Sequence, residues 1–144
     1  MIRKLLQPPP QTARASAGLL ILRLFCGYAF MVHGWGKIQH PFSWMGPDSG
    51  YPGIFQALAA LSEFGGGLAW VLGLLTPLAS LGMAFTMLVA ARLHLVVMHQ
   101  TLIAQSKDGS AEPAAVYLCV ALVLLLAGPG RFSLDRLLFR EKTS

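Results

Sequence analysis

The stretch AGLLILRLFCGYAFMVHGWGKI, residues 17–38, decides the fold. As a helix its 22 residues reach ~33 Å, enough to cross a hydrocarbon core of about 30 Å. Further apolar blocks follow at 54–75, 77–98 and 112–127. The last is short by itself, but its flanks Ser110, Ala111 and Gly128 extend it to a span where the bilayer thins or the helix stands upright. Of the 144 residues, 55% are hydrophobic and 12% charged, about half the charged share of a soluble domain. Mean hydropathy is +0.60. The chain therefore reads as an all-α integral membrane protein built as a four-transmembrane-helix bundle over residues 17–128. A cytoplasmic tail is expected at 1–16, and an amphipathic interfacial segment with a second tail at 129–144.

Flanking charge sets the expected orientation. Arg3, Lys4, Arg14, Arg131, Arg136, Arg140 and Lys142 lie on the side of the termini, against Lys37 and Lys107 in the opposite loops. Both termini are thus expected in the cytoplasm by the positive-inside rule, in keeping with an even number of spans. The sequence pI of 9.7 then reflects flanks facing anionic lipid, and nucleic acid is not an expected partner. The first block is too long for a signal-peptide core, is interrupted by Arg23 and is followed by no small-x-small cleavage site, so it is expected to stay as a helix. Cys26 and Cys119 lie inside spans one and four without CxxC spacing, and buried, unreactive thiols are expected.

Punctuation defines the connections. Pro8, Pro9 and Pro10 cannot continue a helix and stand extended before span one. Loop one, 39–53, mixes Pro and Gly with Phe42, Trp44 and Tyr51, which reads as an interfacial aromatic belt or, more sharply, as a lid. Thr76 as N-cap and Pro77 as first helical residue make spans two and three tight antiparallel neighbours. Gly65, Ala69 and Gly73 form a small-xxx-small stripe suited to close helix packing. After the GPGR break at 128–131, Ser133 can cap an amphipathic segment with Leu134, Leu137 and Leu138 on one side and Asp135, Arg136 and Arg140 on the other.

A charge near the bilayer centre costs about 2.5 to 3.5 kcal/mol on the insertion scale, so such groups are kept where they are paired or useful. Arg23, His33 and Lys37 fall within an arc of about 80° on an ideal helix. In span two, Gln56 and Glu63 are nearly eclipsed, with Gly66 and Gly67 leaving bare backbone on the same face. In span three, Arg92 and His99 share a face while His94 points about 160° away. The expected site is an outer-half cluster of Glu63, His33 and Lys37, joined by one residue of span three and by Glu112, with Arg23 deeper and closer to Asp135. Glu63 either fixes helix register by neutralising a basic partner, or the cluster binds a polar headgroup such as a quinone or relays protons. Met87, His94 and Met98 also share a face of thioether and imidazole, but without a tighter cluster no metal is assigned.

The segments LRLFCGYAFMVHGWGK (22–37), LSEFGGGLAWVLGLLTP (61–77), MLVAARLH (87–94) and GPGRFSLD (128–135) resemble the DoxX family of small bacterial membrane proteins. The resemblance implies a four-helix bundle in the bacterial inner membrane. It also implies a connection to quinone-linked sulfur oxidation, as in small subunits of thiosulfate:quinone oxidoreductase, or to complexes handling oxidative and thiol stress. The family pattern covers Arg23, His33, Gly34, Lys37, Glu63, Gly66, Gly67, Gly73, His94, Glu112, Gly128, Gly130, Ser133 and Asp135, whereas Arg92 stands outside it. With no redox-active cysteine pair, the chain is expected to depend on a protein partner for dithiol chemistry, so its own status as an enzyme is left open. A non-catalytic scaffold that anchors partners is the competing class, and small-solute or metal transport a third. Exposed small-residue faces would suit a homodimer.

Overall fold

A computed structural model describes residues 9–104, 107 and 109–139. Arg3, Lys4, Pro8, Arg140 and Lys142 lie outside the described residues. Among the described residues five α-helices follow one another: α1 (Ala13–Gln39), α2 (Gly53–Leu72), α3 (Thr76–Arg92), α4 (Glu112–Ala127) and the short α5 (Leu134–Phe139). The described residues form no β-strand.

Helices α1, α2 and α3 with its continuation to Val97 are long and apolar enough to cross a membrane, and α4 is a shorter apolar helix of 16 residues. Helix α1 starts four residues before the apolar block, because the Thr12 side chain accepts a hydrogen bond from the Ala15 N–H at 3.2 Å and caps it. Helix α2 ends three residues before the expected boundary, at Leu72. Gly73 takes a left-handed φ of 64°, and its N–H and that of Leu74 close on the carbonyls of Trp70 and Ala69. This glycine-terminated ending satisfies the last carbonyls of the helix.

The helices pack in chain order: α1 along α2, α2 along α3, and α3 along α4, with a lighter closure between α1 and α4. One aromatic knot joins all four. Phe30 of α1 meets Trp70 of α2 edge-on at 5.7 Å and Tyr117 of α4 at 4.6 Å. The Trp70 indole N–H donates to Ser80 Oγ of α3 at 3.0 Å. Trp70 and Ser80 are fully buried, so the indole hydrogen bond is satisfied where an orphan donor would cost about 1 to 3 kcal/mol.

Backbone contact between α1 and α2 depends on glycines. A Cβ on Gly27 would stand 2.7 Å from the Gly67 carbonyl oxygen, one on Gly67 2.7 Å from that of Gly27, and one on Gly34 2.6 Å from the Phe64 nitrogen. Gly66 faces Met83 of α3 instead. The bare backbone around Glu63 is therefore filled by the neighbouring helices. Of the expected stripe Gly65, Ala69 and Gly73, Gly73 lies tight against Arg23 of α1 and Ser133. Gly65 meets only Leu61 of its own helix, because the contact with α1 runs through Phe64 and Gly67, on another side of α2.

The outside is apolar and the inside partly polar. Leu126 is 81% exposed and Phe25 71%, while Arg23, Gln56, Glu63 and Asp135 are buried. That inversion of a soluble protein is what lipid as solvent demands.

Candidate functional site

Glu63 sits near the middle of α2, next to Phe64, whose backbone packs on Gly34. This close approach brings Lys37, one helical turn beyond Gly34, within reach. Lys37 Nζ donates to both carboxylate oxygens of Glu63, at 2.6 and 2.7 Å. The carboxylate is buried, with its side chain 6% exposed, and the lysine is 27% exposed. Lys37 therefore carries the pair's polarity outward.

Loop one closes over this pair. The Trp44 ring stands 4.5 Å from Lys37 Nζ, a cation–π distance. Its indole N–H donates to the Gln56 carbonyl at 2.9 Å. The buried Gln56 amide holds the loop from two sides, accepting from the Met45 N–H at 3.0 Å and donating to the Tyr51 carbonyl at 2.9 Å. Trp44, from the loop read as a belt or a lid, and Gln56, on the face of Glu63, belong to the site although neither was named in the expected cluster. The usable signals were the near eclipse of Gln56 with Glu63 and an aromatic residue in a Pro- and Gly-rich loop.

The remaining residues of the expected cluster lie elsewhere. His33 is exposed and makes no hydrogen bond or ion pair among the described residues. On α1 it falls about 80° from Arg23, just outside the buried arc, and an imidazole is too short to reach back as the lysine does. His94 Nδ1 pairs with Gln100 Oε1 at 2.6 Å. Glu112 accepts from the Ala104 N–H at 3.1 Å and organises the second loop. Neither joins Lys37 and Glu63 among the described residues.

The face assigned to span three is also revised. Leu93–Val97 form a wide π-type turn, which breaks the 100° periodicity on which that face was drawn. Met87 is buried, whereas Met98 is 53% exposed. Arg92 and His99 are exposed. Cys26 is buried as expected, but Cys119 lies exposed on the outer face of α4.

A second polar centre forms at the opposite end. Asp135 is fully buried, and its carboxylate accepts from the Leu75 N–H at 2.6 Å and the Thr76 N–H at 2.8 Å. The cap of α3 thus comes from the C-terminal segment and not from Thr76. Leu75 has a left-handed φ of 50°, a conformation costing of order 1 to 3 kcal/mol that the surroundings must over-determine. The Asp135 N–H returns to the Gly73 carbonyl at 2.8 Å.

Arg23 is fully buried beside this turn and donates from Nη2 to the Phe132 carbonyl at 2.6 Å. Gly73 is obligatory here, since a Cβ would collide with the Arg23 guanidinium. Ser133 Oγ donates to the Gly130 carbonyl at 2.9 Å and accepts from the Arg136 N–H at 3.3 Å, capping α5 as its position implied. Gly130, at φ 82°, brings the chain against Ser16, and Gly128 ends α4 at φ 74°. Asp135 faces inward, which corrects its expected place on a water-facing side.

Residues 18–100 match the DoxX family, which is more than half of the chain. The chain belongs to the DoxX family. The inner membrane protein YqjF of Escherichia coli (strain K12) is 33% identical over 131 residues, covering 86% of this chain and 94% of that relative. No solved structure matches. This DoxX protein is a multi-pass protein of the bacterial inner membrane, in contact with the lipid bilayer. The residues of its two polar centres, Lys37 with Glu63 and Arg23 with Asp135, come from three of the four segments that carry the DoxX resemblance.

Proposed function

We propose that this DoxX protein is a four-span membrane subunit of a quinone-linked redox or thiol-stress system, with both termini in the cytoplasm. Lys37 and Glu63 form its headgroup-binding or proton-relaying element. The observation that carries this reading is a carboxylate buried in a membrane bundle whose partner ammonium is partly exposed beside an aromatic ring. The ammonium can donate to a quinone carbonyl oxygen, the Trp44 ring can stack on the quinone face, and the carboxylate can exchange the proton. Electrons would come from a partner protein. Equilibrium dialysis of a short-chain ubiquinone against the purified chain, before and after Glu63→Gln, tests the reading. Binding at least tenfold weaker in the variant is expected, and equal or absent binding in both overturns it.

One observation favours a second reading, in which the protein is a non-catalytic scaffold. Both Glu63 oxygens already receive Lys37, as a clip between α1 and α2 requires. If Glu63→Gln leaves partner capture intact while removing biological activity, the clip alone is insufficient.

A further inference from the structure

We infer that the recess between the end of α2 and the C-terminal segment is a binding site for one anionic phospholipid, with its phosphate on Arg131. This goes beyond the proposed redox role and rests on different residues. The recess has a volume of about 380 Å³ and is lined by Leu72, Arg131, Phe132, Ser133, Leu134 and Leu137. That volume suits a glycerophosphate with its first methylenes, at the small end of ligand-sized sites.

Chemistry and charge select the occupant. Four of the six lining residues are large and apolar, and Leu72, Phe132 and Leu137 are 43%, 53% and 78% exposed. A soluble anion would gain nothing from them, whereas acyl chains would cover them. Arg131 supplies the one lining charge. Its backbone is fixed, because its N–H donates to Ser16 Oγ at 3.1 Å at the start of α1. Its guanidinium is exposed and pairs with no carboxylate among the described residues.

The acid nearest in sequence does not offset it. Both Asp135 oxygens are spent on the amides of Leu75 and Thr76, and the residue is fully buried. Arg136 adds a second cation on the same short segment. A basic, apolar pocket at a membrane interface matches the chemistry of an anionic lipid headgroup.

The test is thermal unfolding of the full chain in neutral detergent, titrated with phosphatidylglycerol, phosphatidylcholine or inorganic phosphate. Phosphatidylglycerol should raise the unfolding temperature saturably, and the other two should not. Arg131→Gln should weaken the apparent affinity about fivefold, from the ~1 kcal/mol of one interfacial cation. Leu137→Glu, on the exposed lip, should weaken it comparably without altering Arg131. Arg14→Gln, a cation at the same end but outside the recess, should leave it within twofold. An equal loss in the Arg14 and Arg131 variants would mean diffuse surface attraction and overturn the site. A saturable shift with inorganic phosphate or phosphatidylcholine, or none with phosphatidylglycerol, would overturn it equally.

Discussion

An ammonium or a carboxylate alone in a membrane interior costs several kcal/mol, and Lys37 and Glu63 remove much of that cost by meeting at 2.6 Å. Lys37→Met should therefore destabilise the protein by about 3 kcal/mol, because it strands the carboxylate. Adding Glu63→Leu should restore most of that loss, since an apolar pair can replace a buried ion pair nearly neutrally. Chemical unfolding in detergent measures both. A double variant no more stable than the single one would show that the cost lies in packing. The partnership was legible in the sequence as an ionisable stripe facing a carboxylate one helix away. His33 was misplaced because its ideal angle lies at the margin of the buried arc, where side-chain length decides the outcome. The contacts of Trp44 and Gln56 were hidden because the fold of a Pro- and Gly-rich loop is set by contacts with another element.

Among the elements, the α1–α2 contact is the tightest, and its glycines divide sharply by role. Gly27→Ala or Gly67→Ala should cost about 1 to 3 kcal/mol, because a Cβ meets backbone that cannot yield. Gly36→Ala meets nothing within 4 Å and should be neutral or slightly stabilising, by up to about 1 kcal/mol. The same unfolding measurement separates the two classes. At the α2–α3 turn, Asp135→Ala should remove the cap of α3, cost about 1 to 2 kcal/mol and release the C-terminal segment to protease. Unchanged proteolysis would place the anchor elsewhere, for example on Arg23 and Phe132. Helix positions could be read from hydropathy, and α4 falls where it was expected. What escaped was long-range: a cap supplied to residue 75 by residue 135, and a π-type turn that leaves no mark in the hydrophobic pattern.

At the scale of the molecule, an apolar exterior around a partly charged interior suits a bundle in lipid, with Lys37 and Glu63 towards one end and Arg23 and Asp135 towards the other. If both termini are cytoplasmic, single cysteines at Ser43 and Thr101, in a background without Cys26 and Cys119, should react with a membrane-impermeant maleimide in intact cells. One at Ser133 should react only after permeabilisation or unfolding, and the reverse pattern would invert the proposed topology. Membrane class and family were legible because composition and motifs are local properties, but whether an ion pair works or merely holds two helices together is not. The most direct measurement is the affinity of a short-chain ubiquinone for the nanodisc-embedded chain and for the Lys37→Met/Glu63→Leu variant, whose stability should be close to that of the unaltered protein. The double variant should stay folded and lose at least tenfold in affinity. Binding as tight as in the unaltered chain would contradict this and leave the pair as a structural clip.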